Sequence, residues 1–212
     1  MKKIYFVRHG ATENNLANMM QDENTPLSDL GLKQAEFLGQ RFDSIDIDQI
    51  FSSSMKRAYQ TAEAIRKIKD LEIKDTDLLI EILKPSAVRG KSKDDPEVRA
   101  ILKNIKSNSI NPNYRYSDEE NFNDLITRAQ KVVELIVSSS EKNILLVTHG
   151  QFLVFVIGYM LFGPEFTPRE FKRMEEFFIA KNTGISIIEM NEDKPLLITW
   201  NDHAHLGELD IF

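Results

Sequence analysis

Two short apolar runs in this chain end in the same way. Ile4-Tyr5-Phe6-Val7 leads into Arg8-His9-Gly10, and Ile144-Leu145-Leu146-Val147 leads into Thr148-His149-Gly150. A run of that length, closed by a turn residue, reads as a buried strand. If the two strands neighbour in a parallel sheet, both imidazoles arrive side by side outside its carboxyl edge, where ligands gather in open α/β sheets. Arg8 brings a cation to the same spot, so the pattern is that of a phosphate site with a nucleophile in it.

Further strand-like runs at Gln49–Ser52, Ile185–Met190 and Leu196–Trp200 alternate with helical patterns. That alternation predicts an α/β fold, a three-layer sandwich with a mostly parallel central sheet flanked by helices. Leu32, Ala35, Leu38 and Phe42 recur at helical spacing, as do Ala58, Thr61, Ala62, Ile65 and Ile68 after the serines at 52 to 54, natural N-cap residues. Leu125, Ala129, Val132, Val133 and Ile136 form a third stripe, read as core. From about Lys84 to Asn123 the pattern changes: three prolines, an asparagine-rich passage and one convincing helix near Pro96 to Ile105. This stretch is read as a cap inserted over the carboxyl edge of a single domain spanning 1–212. A short helical excursion at Pro168 to Phe178 precedes the last two strands.

Several classes of function fall away. The chain has no cysteine, which excludes disulfides, thiolate catalysis and Cys-ligated metal sites. A net charge of -6 argues against a nucleic-acid binder. The nearly uncharged window from Ile144 to Gly163 approaches the roughly 20 apolar residues of a membrane span, but Thr148-His149-Gly150-Gln151 interrupts it, and a strand followed by a buried helix explains it better. The expectation is a soluble, cytoplasmic protein without a membrane partner.

Phosphoryl transfer needs a nucleophile, cations to spread charge, a proton donor for the leaving oxygen and exclusion of bulk water. His9 can supply the nucleophilic imidazole nitrogen. Arg8 and Arg57 can spread charge, because a guanidinium fork meets phosphate oxygens bidentately. Arg57 follows Ser52-Ser53-Ser54-Met55-Lys56 where a strand gives way to a helix, a place where an arginine opposes the macrodipole unless an anion is near. His149, if protonated beside a dianion, adds a further donor. Thr12 and Asn15 offer neutral donors, and Glu81, after Leu78-Leu79-Ile80, is the best placed proton donor, with Glu72, Asp75 and Asp77 as competitors. His203 and His205 read as a structural loop pair, and no metal site or cofactor is implied.

Arg8-His9-Gly10-Ala11-Thr12 with Asn15, Thr25-Pro26-Leu27-Ser28 leading to Gly31 and Gln34-Ala35, Ser52-Ser53 with Arg57-Ala58 and Gln60-Thr61-Ala62, and Thr148-His149-Gly150 together resemble the histidine phosphatase superfamily, which includes the cofactor-dependent phosphoglycerate mutases. The likeness continues to Asn201-Asp202 and His205-Leu206. It implies a phosphohistidine at His9, a phosphate pocket completed by Arg8, Arg57, His149 and Gly150, and Glu81 as general acid/base. Glu81 leads into Pro85-Ser86 and Arg89-Gly90 rather than the Gly-x-Trp-Glu-Gly-like stretch of many members, and the chain is shorter than the glycolytic mutases, which favours a simple phosphatase acting on a small phosphorylated substrate. The alternatives are a phosphoglycerate mutase-type phosphotransferase or a catalytically silent phospholigand-binding module. The cap, with eight basic residues against three acidic ones from Lys84 through Tyr116, is expected to steer anionic substrates, with Arg89 and Lys91 prominent.

Overall fold

A computed structural model of the protein describes residues 1–191 and 194–209. Along the chain lie β1 (Lys2–Arg8), α1 (Glu13–Leu16), α2 (Asp29–Phe42), β2 (Gln49–Ser53), α3 (Lys56–Lys69), β3 (Ile73–Thr76), α4 (Pro96–Asn108), α5 (Phe122–Ser138), β4 (Asn143–Thr148), α6 (Gly150–Phe162), α7 (Pro168–Phe177), β5 (Ile185–Asn191) and β6 (Lys194–Asp202). The six strands form one sheet in the order β3-β2-β4-β1-β5-β6. β3, β2, β4 and β1 run parallel, whereas β5 pairs antiparallel with both β1 and β6.

Alternation along the central strands builds the three layers. Ile4 and Phe6 of β1, with Ile144 and Leu146 of β4, pack beneath α5 and α6 against Leu125, Val132, Phe152 and Phe155. Tyr5, Val7, Leu145 and Val147 face the other way, onto Leu38 and Phe42 of α2 and Ala58, Ala62 and Ile65 of α3. Successive side chains of a strand point to opposite faces, so strands covered on both sides must be apolar at every position. The window from Ile144 to Gly163 resolves into β4 and the largely buried α6, and among the described residues no helix is long and apolar enough to cross a membrane.

Local chemistry sets the helix starts. Ser28 Oγ accepts from Gly31 N–H, Asp95 caps α4 ahead of Pro96, and Asn121 and Thr167 form capping boxes with Asp124 and Glu170. The serines at 52 to 54 do not cap α3. Its N-cap is Met55, because Ser52 and Ser53 are still in β2. Leu32 and Ile68, expected on buried stripes, stand 48% and 44% exposed at the edges of their helices. The apolar Leu78-Leu79-Ile80 is not a strand end; Asp77–Leu79 form a 3-10 turn. Between residues 84 and 123, α4 packs Val98 and Ile101 on Val88 and Met20. Backbone bonds from Met20 N–H to Lys91 O and from Lys93 N–H to Asn18 O tie this segment to the chain just after His9.

Candidate active site

The register of β1 against β4 decides where the histidines emerge. Arg8 lies opposite Thr148 in the parallel ladder, so the next residue of each strand leaves the sheet at the same level. The His9 and His149 rings stand 5.0 Å apart, centroid to centroid. The turn after β1 is held on all sides: His9 N–H donates to Thr148 O, Gly10 N–H to Thr61 Oγ1, Ala11 N–H to Gln34 Oε1, and Asn182 Nδ2 to His9 O. Thr183, in the left-handed region with φ 56°, donates its N–H to Arg8 O. Gly31 allows the close packing beneath, since a Cβ there would lie 2.0 Å from the Ala11 carbonyl oxygen.

His9 has a defined tautomer. Its Nδ1 is 2.7 Å from Gly10 O, and a carbonyl only accepts, so the ring proton sits on Nδ1 and the lone pair on Nε2. Arg57 Nε donates to that Nε2 at 3.3 Å. Burial, then the Arg57 and Arg8 charges, push the His9 imidazole well below its ordinary range, against a smaller opposing effect of the Gly10 carbonyl. The ring is therefore neutral near pH 7, and its Nε2 lone pair can act as a nucleophile once the Arg57 Nε–H turns from it. Burial lowers the Arg57 guanidinium to about 10, opposed by Glu81 and Asp22. Its Nη1 is anchored on Asp22 O at 2.7 Å, and Arg8 Nη1 on Ala180 O at 2.6 Å.

His149 is fully buried behind these groups, with Nε2 2.8 Å from Ser53 Oγ. Ser53 Oγ also accepts from Met55 N–H, and its hydroxyl can either donate to His149 Nε2 or accept from it. Burial, then Arg57, His9 and Arg8, hold this imidazole well below its ordinary range. The ring is thus neutral in the free protein, whereas the protonated form is expected only beside a bound dianion. Among the described residues, His149 Nδ1 and Arg8 Nε are buried without a hydrogen-bond partner. A Cβ on Gly150 would lie 3.4 Å from that same Arg8 Nε, so the guanidinium lies against the start of α6.

A cavity of about 760 Å³ opens over this spot. Arg8, His9, Asn15, Arg57, Glu81 and Gly150 line its floor. Thr12 does not reach it: fully buried, it caps α1 and donates its hydroxyl to Asn15 Oδ1, which fixes the Asn15 side chain. Of the four acids weighed as proton donors, only Glu81 lines the cavity, whereas Asp77 accepts from Ser54 Oγ. Glu81 Oε1 accepts the N–H groups of Ile82 and Phe152, and Oε2 that of Gln151, so the carboxyl lies across the first turn of α6. Leu102, Ile105, Phe122, Phe171 and Ile179 form much of the wall above, with Lys84, Arg89, Lys93 and Lys106 among them. Lys91 is off the wall, 3.8 Å from Glu97. His203 and His205 bond to Asn201 O and Thr183 Oγ1, and among the described residues no three His, Asp or Glu side chains cluster as metal ligands would.

Sequence reasoning overlooked Ser53 as a partner of His149, along with Asp22, Asn182 and Thr183. All but Ser53 act here through backbone atoms or on backbone atoms, so their side-chain types carried little signal.

The model of the histidine phosphatase superfamily (branch 1) matches residues 4–203. A Schizosaccharomyces pombe protein named "Probable phosphatase" is 30% identical over 96% of this chain and 95% of its own length. The 2,3-bisphosphoglycerate-dependent phosphoglycerate mutase of Thermoplasma acidophilum is 29% identical over 90% of this chain and 88% of its own. Among solved structures, a mutant phosphoserine phosphatase from Entamoeba histolytica in complex with phosphoserine superposes with a TM-score of 0.79, at 24% identity, covering 97% of this chain and all of that one. The chain belongs to the histidine phosphatase superfamily.

Proposed function

We propose that this member of the superfamily hydrolyses small phosphomonoesters in the cytoplasm, without a metal, through a phosphohistidine at His9. One observation carries the reading: a buried neutral imidazole whose proton is committed to Gly10 O and whose Nε2 faces Arg57 on a cavity floor. In the first step the Nε2 lone pair attacks phosphorus and the ester oxygen leaves with a proton from Glu81. In the second, Glu81 takes a proton from water as that water attacks the phosphohistidine, and inorganic phosphate departs with His9 restored. Arg8 and Arg57 spread the charge of the transferring group, with the Asn15 amide as a neutral donor, and His149, buried off the cavity wall, joins them once its ring turns toward the phosphoryl group. Arg8 Nε, buried and unpaired, would gain an acceptor from a bound phosphoryl group. Gly150 lets the guanidinium lie against the start of α6, and Thr12 acts through Asn15.

For Glu81 to reach the ester oxygen, one carboxyl oxygen must turn from the α6 N–H groups toward the cavity it already borders. A mutase would share the first step and keep water from the second. The roomy cavity supports hydrolysis, because a phosphohistidine on its floor is within reach of solvent. A silent binding module is disfavoured by a site that retains nucleophile, cations and acid together. Rapid quench with an aryl phosphate should trap an acid-labile, base-stable phosphoenzyme, whose decay releases inorganic phosphate at the turnover rate whether or not 3-phosphoglycerate is present. Decay that requires such an acceptor would make the protein a mutase, and failure to form the phosphoenzyme would refute the reading.

A further inference from the structure

Arg128 lies 47 residues beyond Glu81 in sequence, on α5. Its guanidinium forks onto Glu120, Nε to Oε1 at 2.9 Å and Nη2 to Oε2 at 2.8 Å, with the two side chains only 10% and 13% exposed. The remaining nitrogen, Nη1, donates to Ile80 O at 2.7 Å and to Leu78 O at 3.3 Å. Glu120 completes a frame from the other side. Its Oε2 accepts Leu83 N–H at 2.9 Å, and its own N–H donates to Leu83 O at 3.2 Å. The backbone is therefore gripped at positions 78, 80 and 83, on both sides of Glu81. Thr148 Oγ1 adds a bond to Leu79 O at 2.7 Å, tying the same turn to the end of β4.

The guanidinium also stacks 3.7 Å from the centre of the Phe152 ring, and Phe152 N–H is one of the donors to Glu81 Oε1. The loop carrying the carboxyl and the helix end receiving it thus share a single buried cation. Arg128 does not line the cavity, and Glu120, which borders it, has both carboxyl oxygens taken by Arg128 and Leu83 N–H. A buried ion pair is weak evidence for stability, because its desolvation cost rivals its attraction. This pair is instead spent on backbone carbonyls and an N–H around one residue.

We infer that Arg128 and Glu120 are positioning residues that fix the Glu81 carboxyl between the His9 pocket and the first turn of α6. The inference rests on the reading of Glu81 as the proton donor. A lysine at 128 would keep the charge and lose the fork that reaches both Glu120 and Ile80 O. Such misplacement acts only where a proton must be delivered, so its effect depends on the leaving group.

The test measures kcat/KM, which reports phosphoryl transfer to His9, for β-glycerophosphate and for 2,4-dinitrophenyl phosphate, whose phenol leaves without a proton. Glu81→Gln, Arg128→Lys and the paired E120Q/R128Q are compared; the paired variant leaves no buried charge unmatched. Both Arg128 variants should lose about 10- to 100-fold on the glycerol ester, the scale of a displaced catalytic group. On the aryl ester they should stay within about 3-fold, which also reports an intact, folded His9 pocket, and adding R128K to E81Q should cost little more because the residues act as one unit. A leaving-group-dependent loss in Glu81→Gln beside equal losses on both esters, or none, in the Arg128 variants would overturn the positioning role alone. A Glu81→Gln variant indifferent to the leaving group would overturn the proton-donor assignment and the positioning role with it.

Discussion

The floor of the cavity and its rim are built in different ways. Floor groups come from the end of β1, from α1, from the first turn of α3, from the turn after β3 and from the start of α6; His9 and Arg57 are almost wholly buried, and the turn at His9 is fastened by bonds to Thr148 O and Thr61 Oγ1 and from Asn182 Nδ2. Rim groups come from residues 84–123 and from α7 with the loop after it, where apolar side chains alternate with lysines and several stand open to solvent, Ile179 at 67% exposure among them. The floor has fixed donors, one defined tautomer and depressed imidazoles, which the proposed function assigns to a phosphoryl group. The rim offers a mixed surface with no comparable set of fixed donors. Under the proposed function, the sheet edge carries the reaction and residues 84–123 with α7 select the alcohol attached to the phosphate.

The sharpest way to break this division is at the nucleophile. His9→Ala should abolish the phosphoenzyme and reduce turnover by a factor on the order of 10⁴ or more, as loss of a covalent nucleophile does elsewhere. Chelator should leave wild-type turnover unchanged. Rapid quench with an aryl phosphate and steady-state phosphate release check both outcomes. Substantial turnover in His9→Ala would mean that the floor does not carry the reaction.

The same division explains what was legible in the sequence. His9 and His149 were readable because an apolar run marks a buried strand and glycine marks its end, so topology followed from pattern. Strand β3 was not: Ile73-Lys74-Asp75-Thr76 has a single large apolar residue and sits at the sheet edge, paired only with β2. Leu32 and Ile68 kept the helical period yet lie at the margins of their buried faces, because spacing defines a stripe and not its width. Thr12 was the right type for a ligand donor and also for an N-cap, and local capping claimed it. Arg128 and Glu120 gave no local signal, since apart from each other and the Phe152 ring their partners are backbone carbonyls and an N–H distant in sequence.

A second prediction tests the depressed imidazoles of the floor. As pH falls through about 6.5, unfolded histidines take up protons, whereas His9 and His149, held neutral chiefly by burial and then by Arg57, do not. The unfolded state then binds more protons than the folded one, so stability is full above that pH and is lost below it. Each histidine adds a slope of up to about 1.4 kcal/mol per pH unit. Urea unfolding between pH 7.5 and 5.5, above the range where ordinary carboxylates titrate, should show this slope, and His149→Gln should remove roughly half of it. Equal slopes in wild type and variant would mean that the floor does not hold its histidines neutral.

The smallest effects belong to the rim, and there the geometry redraws the expectation. Arg89 lines the cavity with its Nε on Lys84 O, but Lys91 lies off the wall beside Glu97. Lys84 and Lys106 do line it, and among the described residues neither forms an ion pair. Both also influence the Glu175 carboxyl, which burial and, more weakly, Glu81 raise, while Lys84, the Gln151 hydrogen bond and Lys106 lower it. Two lysines that act on a carboxyl near Glu81 are placed to meet a second anionic group on the leaving alcohol. Partly exposed charge pairs are worth at most about 1 kcal/mol, so Lys84→Ala and Lys106→Ala should each raise KM for such a substrate by about 1.5- to 5-fold at low salt, with kcat little changed. A neutral-tailed ester should be indifferent, and the effect should fade as salt screens the field. Lys91→Ala supplies the contrast, with KM unchanged for both esters. If all three lysines behave alike, the cations act as diffuse surface charge, and the rim selects its substrate by apolar contact instead.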